Sequence, residues 1–308
     1  MGIPGSFSGI RNKGLALEAH NRPTLPASAT HENKIRVDVS QVGYSTCRYA
    51  YSKYPANLAV AHIKLEKRLL QLRNKNNLVL YVDGDPPAEK SGTHLQREEN
   101  RRHHRQQAHQ QLSSLQKRLH NNERIRKHHL NKLNKHFRNA FKWELGDRKS
   151  FVQYLIDNGY QAVLCNTETD IQIAIDCQPD DIVVSGDSDF LFYKSVTALW
   201  RPVGKVPFQK YLVYEKDAVC EALGLTPEGL VVLAVVSRND YNRNIPYLGF
   251  ATNRKLIEKL ELQKKKGGGK KPKNIDLGNF GVVLPLRSVH SHFLFSLLFL
   301  HSLSLSCR

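Results

Sequence analysis

Leu78-Val-Leu-Tyr-Val-Asp83-Gly84-Asp85-Pro86-Pro87 reads as a five-residue apolar strand that runs into an acidic turn and stops at a double proline. Proline cannot donate to a sheet ladder, so the strand must end there and a loop must begin. Upstream, Leu58 to Leu72 carries apolar residues at 58, 65, 69 and 72, the spacing of an amphipathic helix, and Ile35 to Val39 reads as a short buried strand. Downstream, Asp147 to Asn158 reads as a helix with Phe151, Leu155 and Ile156 inward and Gly159 just past its end. Ala162 to Cys165 is a strand, Thr167 to Cys177 a helix opened by a threonine cap with acidic residues in its first turn, and Asp181 to Ser185 a β-branched strand. Strands separated by helices imply an α/β fold with a mainly parallel sheet. Leu230 to Val236 is apolar throughout and fits a helix or a strand equally, and 252 to 262 reads as a further helix.

The 308 residues allow one large α/β domain or two domains, and 40% hydrophobic content excludes a fully disordered chain. The net charge is +18, which points to a polyanionic partner, nucleic acid first. The cysteines (47, 165, 177, 220 and 307) are five, scattered and never in a CxxC pair, which argues against a disulfide framework or a zinc ribbon and fits a reducing compartment. No apolar secretory leader opens the sequence. Residues 90 to 140 change character, with 13 Lys/Arg, 3 Glu and 8 His. Leu112, Leu115 and Leu119 form one narrow stripe, and Leu130, Leu133 and Phe137 another. Together they predict two helices that project from the core with a basic polar face. The eight histidines have no fixed ligand spacing and read as part of that solvated face. Lys264 to Lys273 is a flexible basic linker, readable as a nuclear import signal or a phosphate-binding tail. Val289 to Arg308 has about the length of a membrane span but is diluted by serine and histidine, and no membrane association is expected.

Seven carboxylates fall at or just after strand ends: Asp38, Asp83, Glu168, Asp170, Asp187, Asp189 and Asp240. Ligands bind at the C-terminal strand edge of an open parallel sheet. Acids gathered there repel one another unless a cation lies between them. An all-oxygen donor set selects Mg²⁺, with Mn²⁺ as the alternative, over zinc. A pair of such ions is suited to phosphodiester hydrolysis.

These residues resemble the flap endonuclease/XPG family of structure-specific 5′ nucleases. The opening Met1-Gly2-Ile-Pro-Gly5 is similar to that family's start. Val37-Asp38-Val39-Ser40 and Val82-Asp83-Gly84-Asp85-Pro86-Pro87-Ala88-Glu89-Lys90-Ser91-Gly92 match its first two acid blocks. Glu168-Thr-Asp170, Asp187-Ser-Asp189 and Asn239-Asp240-Tyr241 match its later acids. The resemblance covers about residues 1 to 262. It implies a PIN-like three-layer fold, with a mainly parallel central sheet flanked by helices, a projecting helical arch over 90–140 and a C-terminal helix-two-turn-helix. The nuclease domain would then be 1–262, made of 1–89, the arch and 141–262, followed by a basic linker and hydrophobic tail over 263–308. It also implies two Mg²⁺ ions on the seven acids, Lys90 and Arg97 at the scissile phosphate, and a monovalent cation at the helix-two-turn-helix. Nucleic-acid contacts would come from Gly2, Tyr44, Arg101, Arg102, Arg105 and Gly249. The expected partner is branched or 5′-flap DNA, with RNA as an alternative, and the expected location is the nucleus. Departures are an Asp at 170 where the family has Glu, Tyr247 where it has a hairpin Gly, and no visible sliding-clamp box. They leave a second reading open, a nucleic-acid-binding scaffold of the same fold with weak or lost catalysis.

Overall fold

The computed structural model describes residues 3–11, 15, 17–54, 57–72, 75–85, 87, 90–204, 210–237 and 248–266. Its elements run α1 (Ser6–Arg11), β1 (Ala19–His20), β2 (Ile35–Asp38), α2 (Val39–Val42), α3 (Tyr44–Lys53), α4 (Leu58–Leu70), β3 (Leu78–Val82), α5 (Ser91–His120), α6 (Lys127–Ala140), α7 (Leu145–Asp157) and β4 (Gln161–Leu164). Then follow α8 (Thr169–Asp176), β5 (Ile182–Val184), β6 (Ala198–Val203), β7 (Lys210–Glu215), α9 (Lys216–Leu223), α10 (Pro227–Val236) and α11 (Phe250–Lys266). The chain divides into two compact units, Met1–Arg254 and Lys255–Arg308. In the second unit the described residues continue α11 to Lys266.

The sheet order is β1-β7-β6-β5-β2-β3-β4. The β2–β3, β3–β4, β2–β5 and β5–β6 pairings are parallel, and the β1–β7 and β6–β7 pairings are antiparallel. Every residue of β2, β3 and β5 is buried, as helices on both faces of a parallel sheet require. Ile35, Val37, Leu78, Leu80, Ile182 and Val184 point into the core that Leu65 and Leu69 of α4 and Phe151 and Leu155 of α7 complete. Chain order reverses direction between β5 and β2, the switch point at which an open α/β sheet leaves a crevice.

At the N-terminal end of these strands a buried ion pair is fully satisfied. The carboxylate of Asp181 accepts hydrogen bonds from Arg36 Nε at 2.7 Å, Lys34 N at 2.7 Å, Gln178 N at 2.9 Å and Asn33 Nδ2 at 3.3 Å. Arg36 also donates to the Tyr81 hydroxyl, which donates in turn to Asp176 at 2.9 Å.

The projecting pair of helices predicted over 90–140 is present as α5 and α6, but its apolar seam differs from the predicted stripes. Leu112, Leu119, Leu130 and Phe137 are exposed, and the seam is Ala108, Leu115, Leu133 and Ile125. On α5 the buried seam residues Ala108 and Leu115 stand two turns apart, so the seam is a single narrow line and not a three-residue stripe. Three local readings are corrected in the same way. Ile156 is exposed and Val152 is buried in its place. Leu58 is exposed at the start of α4. The N-cap of α8 is Glu168, not Thr167, and its side chain makes no cap hydrogen bond because it serves elsewhere. The ambiguous Leu230–Val236 segment is helical, with Thr226 Oγ1 accepting from Gly229 N and Pro227 at the first helical position. Among the described residues no single helix is long and apolar enough to cross a membrane.

Candidate metal and nucleic-acid site

Four adjoining strands, in the order β5-β2-β3-β4, deliver six of the seven predicted acids to one sheet edge. Asp38 is the last residue of β2, Asp83 follows β3, Glu168 and Asp170 open α8 after β4, and Asp187 and Asp189 follow β5. Asp240, Gly2 and Tyr247 lie outside the described residues, as does most of the link between α10 and α11 where the helix-two-turn-helix was expected.

Asp38 is 3% exposed. Its Oδ1 accepts from Gln41 N at 3.0 Å and caps α2, and its Oδ2 accepts from the Ser185 hydroxyl at 2.9 Å. Among the described residues no cationic side chain pairs with it, and its carboxyl is pushed well above the ordinary range by burial and then by the charge of Asp83. Asp83 Oδ1 accepts from both N and Oγ1 of Thr169 at 3.0 Å. Asp170 is raised to about 6 by burial and by Glu168, against the opposing pull of Lys90 and of the Tyr193 hydroxyl that donates to it at 2.9 Å. Asp189 is raised to about 7 by burial and by Asp187, although Ile3 N donates to it at 2.9 Å. Asp187 Oδ1 accepts from Asp189 N at 3.1 Å. The six acids therefore share one electrostatic neighbourhood. Even so, among the described residues no three His, Cys, Asp or Glu side chains are drawn close enough to hold an ion as they stand.

Lys90 is set directly among the acids. It is 7% exposed at the N-cap of α5, and its Nζ lies 2.6 Å from Glu168 Oε2 and 2.9 Å from Oε1. Arg97 is half-buried two turns further along α5. Of the three predicted arch arginines, Arg101 and Arg105 both pair with Glu98, at 2.9 and 2.7 Å, and Arg102 lies 3.8 Å from Glu99. Three guanidinium groups on two carboxylates leave a net positive face. The Tyr44 ring is 38% exposed at the start of α3, edge-on to Phe141, with the Arg48 guanidinium 5.8 Å from its centroid. Gly249 precedes α11 and its carbonyl accepts from Thr252 N and Asn253 N.

Other residues that hold this edge together carry no motif. A Cβ on Gly84 would lie 1.9 Å from the Cys165 carbonyl oxygen, so only glycine lets the two strand ends approach there. Arg148 Nη1 donates to the carbonyls of Asp83 and Gly84, both at 2.7 Å, and fixes the acidic turn. Buried Lys216 donates to the Tyr193 and Lys194 carbonyls and so supports the tyrosine that holds Asp170. Of these, Gly84 could have been singled out from its place between two aspartates. Arg148 and Lys216 gave no signal.

No protein-family model and no curated protein matches the chain. Solved structures do. The catalytic core of Rad2 in complex with DNA substrate matches at TM-score 0.51 in two structures, with 14% and 15% identity over 96% of this chain and 84% and 85% of theirs. A further structure of the Rad2 catalytic core matches at TM-score 0.50, with 15% identity over 96% of this chain and 85% of that one. The fold is XPG/flap-endonuclease-like, the PIN-like arrangement of a mainly parallel sheet flanked by helices.

Proposed function

We propose that this chain is a Mg²⁺-dependent, structure-specific nuclease that hydrolyses phosphodiesters of branched or flapped DNA. One observation carries the reading: a buried acid with no cationic partner among the described residues, Asp38, sits beside further carboxylates at the switch point of the sheet. An uncompensated buried carboxylate is costly, and a bound cation removes the cost. The donor set is all hard oxygen, which fits Mg²⁺ or Mn²⁺. Asp38, Asp83, Glu168 and Asp170 would hold one ion, and Asp187, Asp189 and Asp240 would complete a second. Bound there, such ions supply charge neutralisation at a phosphodiester and an acidified water.

The remaining work falls to the chain's own side chains. Thr169 and Ser185 fix the carboxylate oxygens of Asp83 and Asp38. Lys90, paired with Glu168 at the acidic edge, stands where it would stabilise charge on the phosphate oxygens. The basic face of α5 and α6 holds the backbone of the nucleic acid, and the Tyr44 ring offers a stacking surface. The +18 net charge and the similarity in fold to a Rad2 catalytic core in complex with DNA substrate support DNA as the polymer. The lysine-rich segment 264–273 supports a nuclear location.

One observation favours the scaffold reading. Glu168 and Asp170 are each already engaged, by Lys90 and by Tyr193. A panel of end-labelled flap, duplex, single-stranded DNA and RNA substrates, with Mg²⁺ and with chelator, separates the readings. The nuclease reading expects chelator-sensitive cleavage of branched DNA that Asp187→Asn abolishes. Binding without cleavage by the parent protein supports the scaffold, and preferential cleavage of RNA moves the substrate class.

A further inference from the structure

The seam between α5 and α6 does not end with its apolar residues. His104 lies one turn before Ala108 on α5, and His136 lies three residues after Leu133 on α6, so both continue the line along which the helices touch. Their Nδ1 atoms are 3.4 Å apart and their ring centroids 5.6 Å apart, and both side chains are half-buried. That separation is at the long end of hydrogen-bond reach for two imidazole nitrogens, one donating and one accepting according to tautomer. It is the span that two imidazole nitrogens take around a tetrahedral ion, since bonds of about 2.0–2.1 Å at a tetrahedral angle place them about 3.3 Å apart. Metal-bound imidazole also needs a partner for its second nitrogen, to fix tautomer and ring orientation. Asn139, one turn after His136, places its amide 3.4 Å from His104 Nε2. With the amide oxygen turned inward it accepts the Nε2 proton and leaves Nδ1 free to ligate.

We infer that His104 and His136 form a transition-metal clip, selective for an imidazole-preferring ion of the Zn²⁺ class, that ties the two arch helices together. The site is chemically distinct from the acid edge: nitrogen donors select Zn²⁺ or Cu²⁺, whereas carboxylate oxygens select Mg²⁺. It supplies two ligands and leaves the other positions to water or an oxygen of a bound molecule. The charges of Lys132, Lys135 and His103 act on His136 and oppose added positive charge, so the clip is a moderate site rather than a four-ligand structural centre. The inference is independent of whether the chain cuts DNA.

The test is calorimetric titration of the full chain with Zn²⁺ in excess Mg²⁺, which keeps the acid edge occupied. The clip predicts one Zn²⁺ equivalent that His104→Gln and His136→Gln each remove, that Asn139→Ala weakens about tenfold, and that His109→Gln, an exposed residue on the same helix, leaves intact. Circular dichroism without metal establishes that the variants fold. On the parent protein, Cu²⁺ electron paramagnetic resonance should show two coordinating imidazole nitrogens. Zn²⁺ binding unchanged in both histidine variants, or a copper spectrum with one nitrogen, overturns the inference.

Discussion

Strand β2 handles buried carboxylates in opposite ways at its two ends. At the N-terminal end Asp181 is saturated, with Arg36 as counter-charge and three further donors. At the C-terminal end Asp38 is as deeply buried, has two donors and no cationic partner among the described residues, and faces other acids. Burial alone therefore does not mark a functional acid. The difference lies in whether the protein itself supplies the compensating charge. Where it does, the acid belongs to the scaffold. Where it does not, the fold is holding strain that a ligand can relieve.

Breaking the two ends should not cost the same stability. Asp181→Ala leaves the Arg36 guanidinium buried without its partner and should cost about 3–5 kcal/mol in a urea unfolding titration. Gly84→Ala is the next largest effect. The added methyl meets backbone at the strand ends, so cleavage should fall sharply while the fold, read by far-UV circular dichroism, survives. Asp38→Asn, measured without divalent cations, should leave stability unchanged or raised, because it removes an unfavourable charge and keeps one acceptor oxygen for Gln41 N. A loss as large as that of Asp181→Ala would erase the distinction.

The pH dependence sharpens the comparison further. The folded-state carboxyls of Asp170 and Asp189 sit at about 6 and about 7, above their unfolded values near 3.8. Between those limits the folded chain binds more protons than the unfolded chain, so stability without metal should fall as pH rises from about 4 to about 7. Melting temperatures across that window should decline in chelator. Saturating Mg²⁺ should reverse the decline above about pH 6, where the carboxylates are free to ligate. A flat profile in chelator would contradict the raised carboxyls. The smallest effect is expected in the arch. Leu133→Ala removes one of three buried seam side chains, and hydrogen exchange should speed in α5 and α6 while the sheet stays protected.

What could be read from sequence follows the same division. Strand β3 was legible because Leu78–Val82 is uniformly apolar and Pro86-Pro87 closes it, and the structure gives it those bounds. The six described acids were legible because they stand at or just after strand ends, where a one-dimensional pattern and a three-dimensional edge coincide. Strands β6 and β7 were not singled out, since Arg201 and Pro202 interrupt the first and the second alternates only partly. Ser185, Thr169, Arg148 and Lys216 are ordinary residues whose roles exist only once distant strands are brought side by side. The histidine pair was hidden for a similar reason. Its members are 32 residues apart and meet only because two helices run antiparallel.

The central claim is that the acids at the C-terminal edge share divalent cations. Mn²⁺ binding followed by electron paramagnetic resonance, on the full chain and on Asp187→Asn, tests it most directly. Two bound ions in the parent, with at least one lost and the other weakened in the variant, is the predicted result. Mn²⁺ that stays free in the presence of the parent protein, or binds the variant equally, would contradict it.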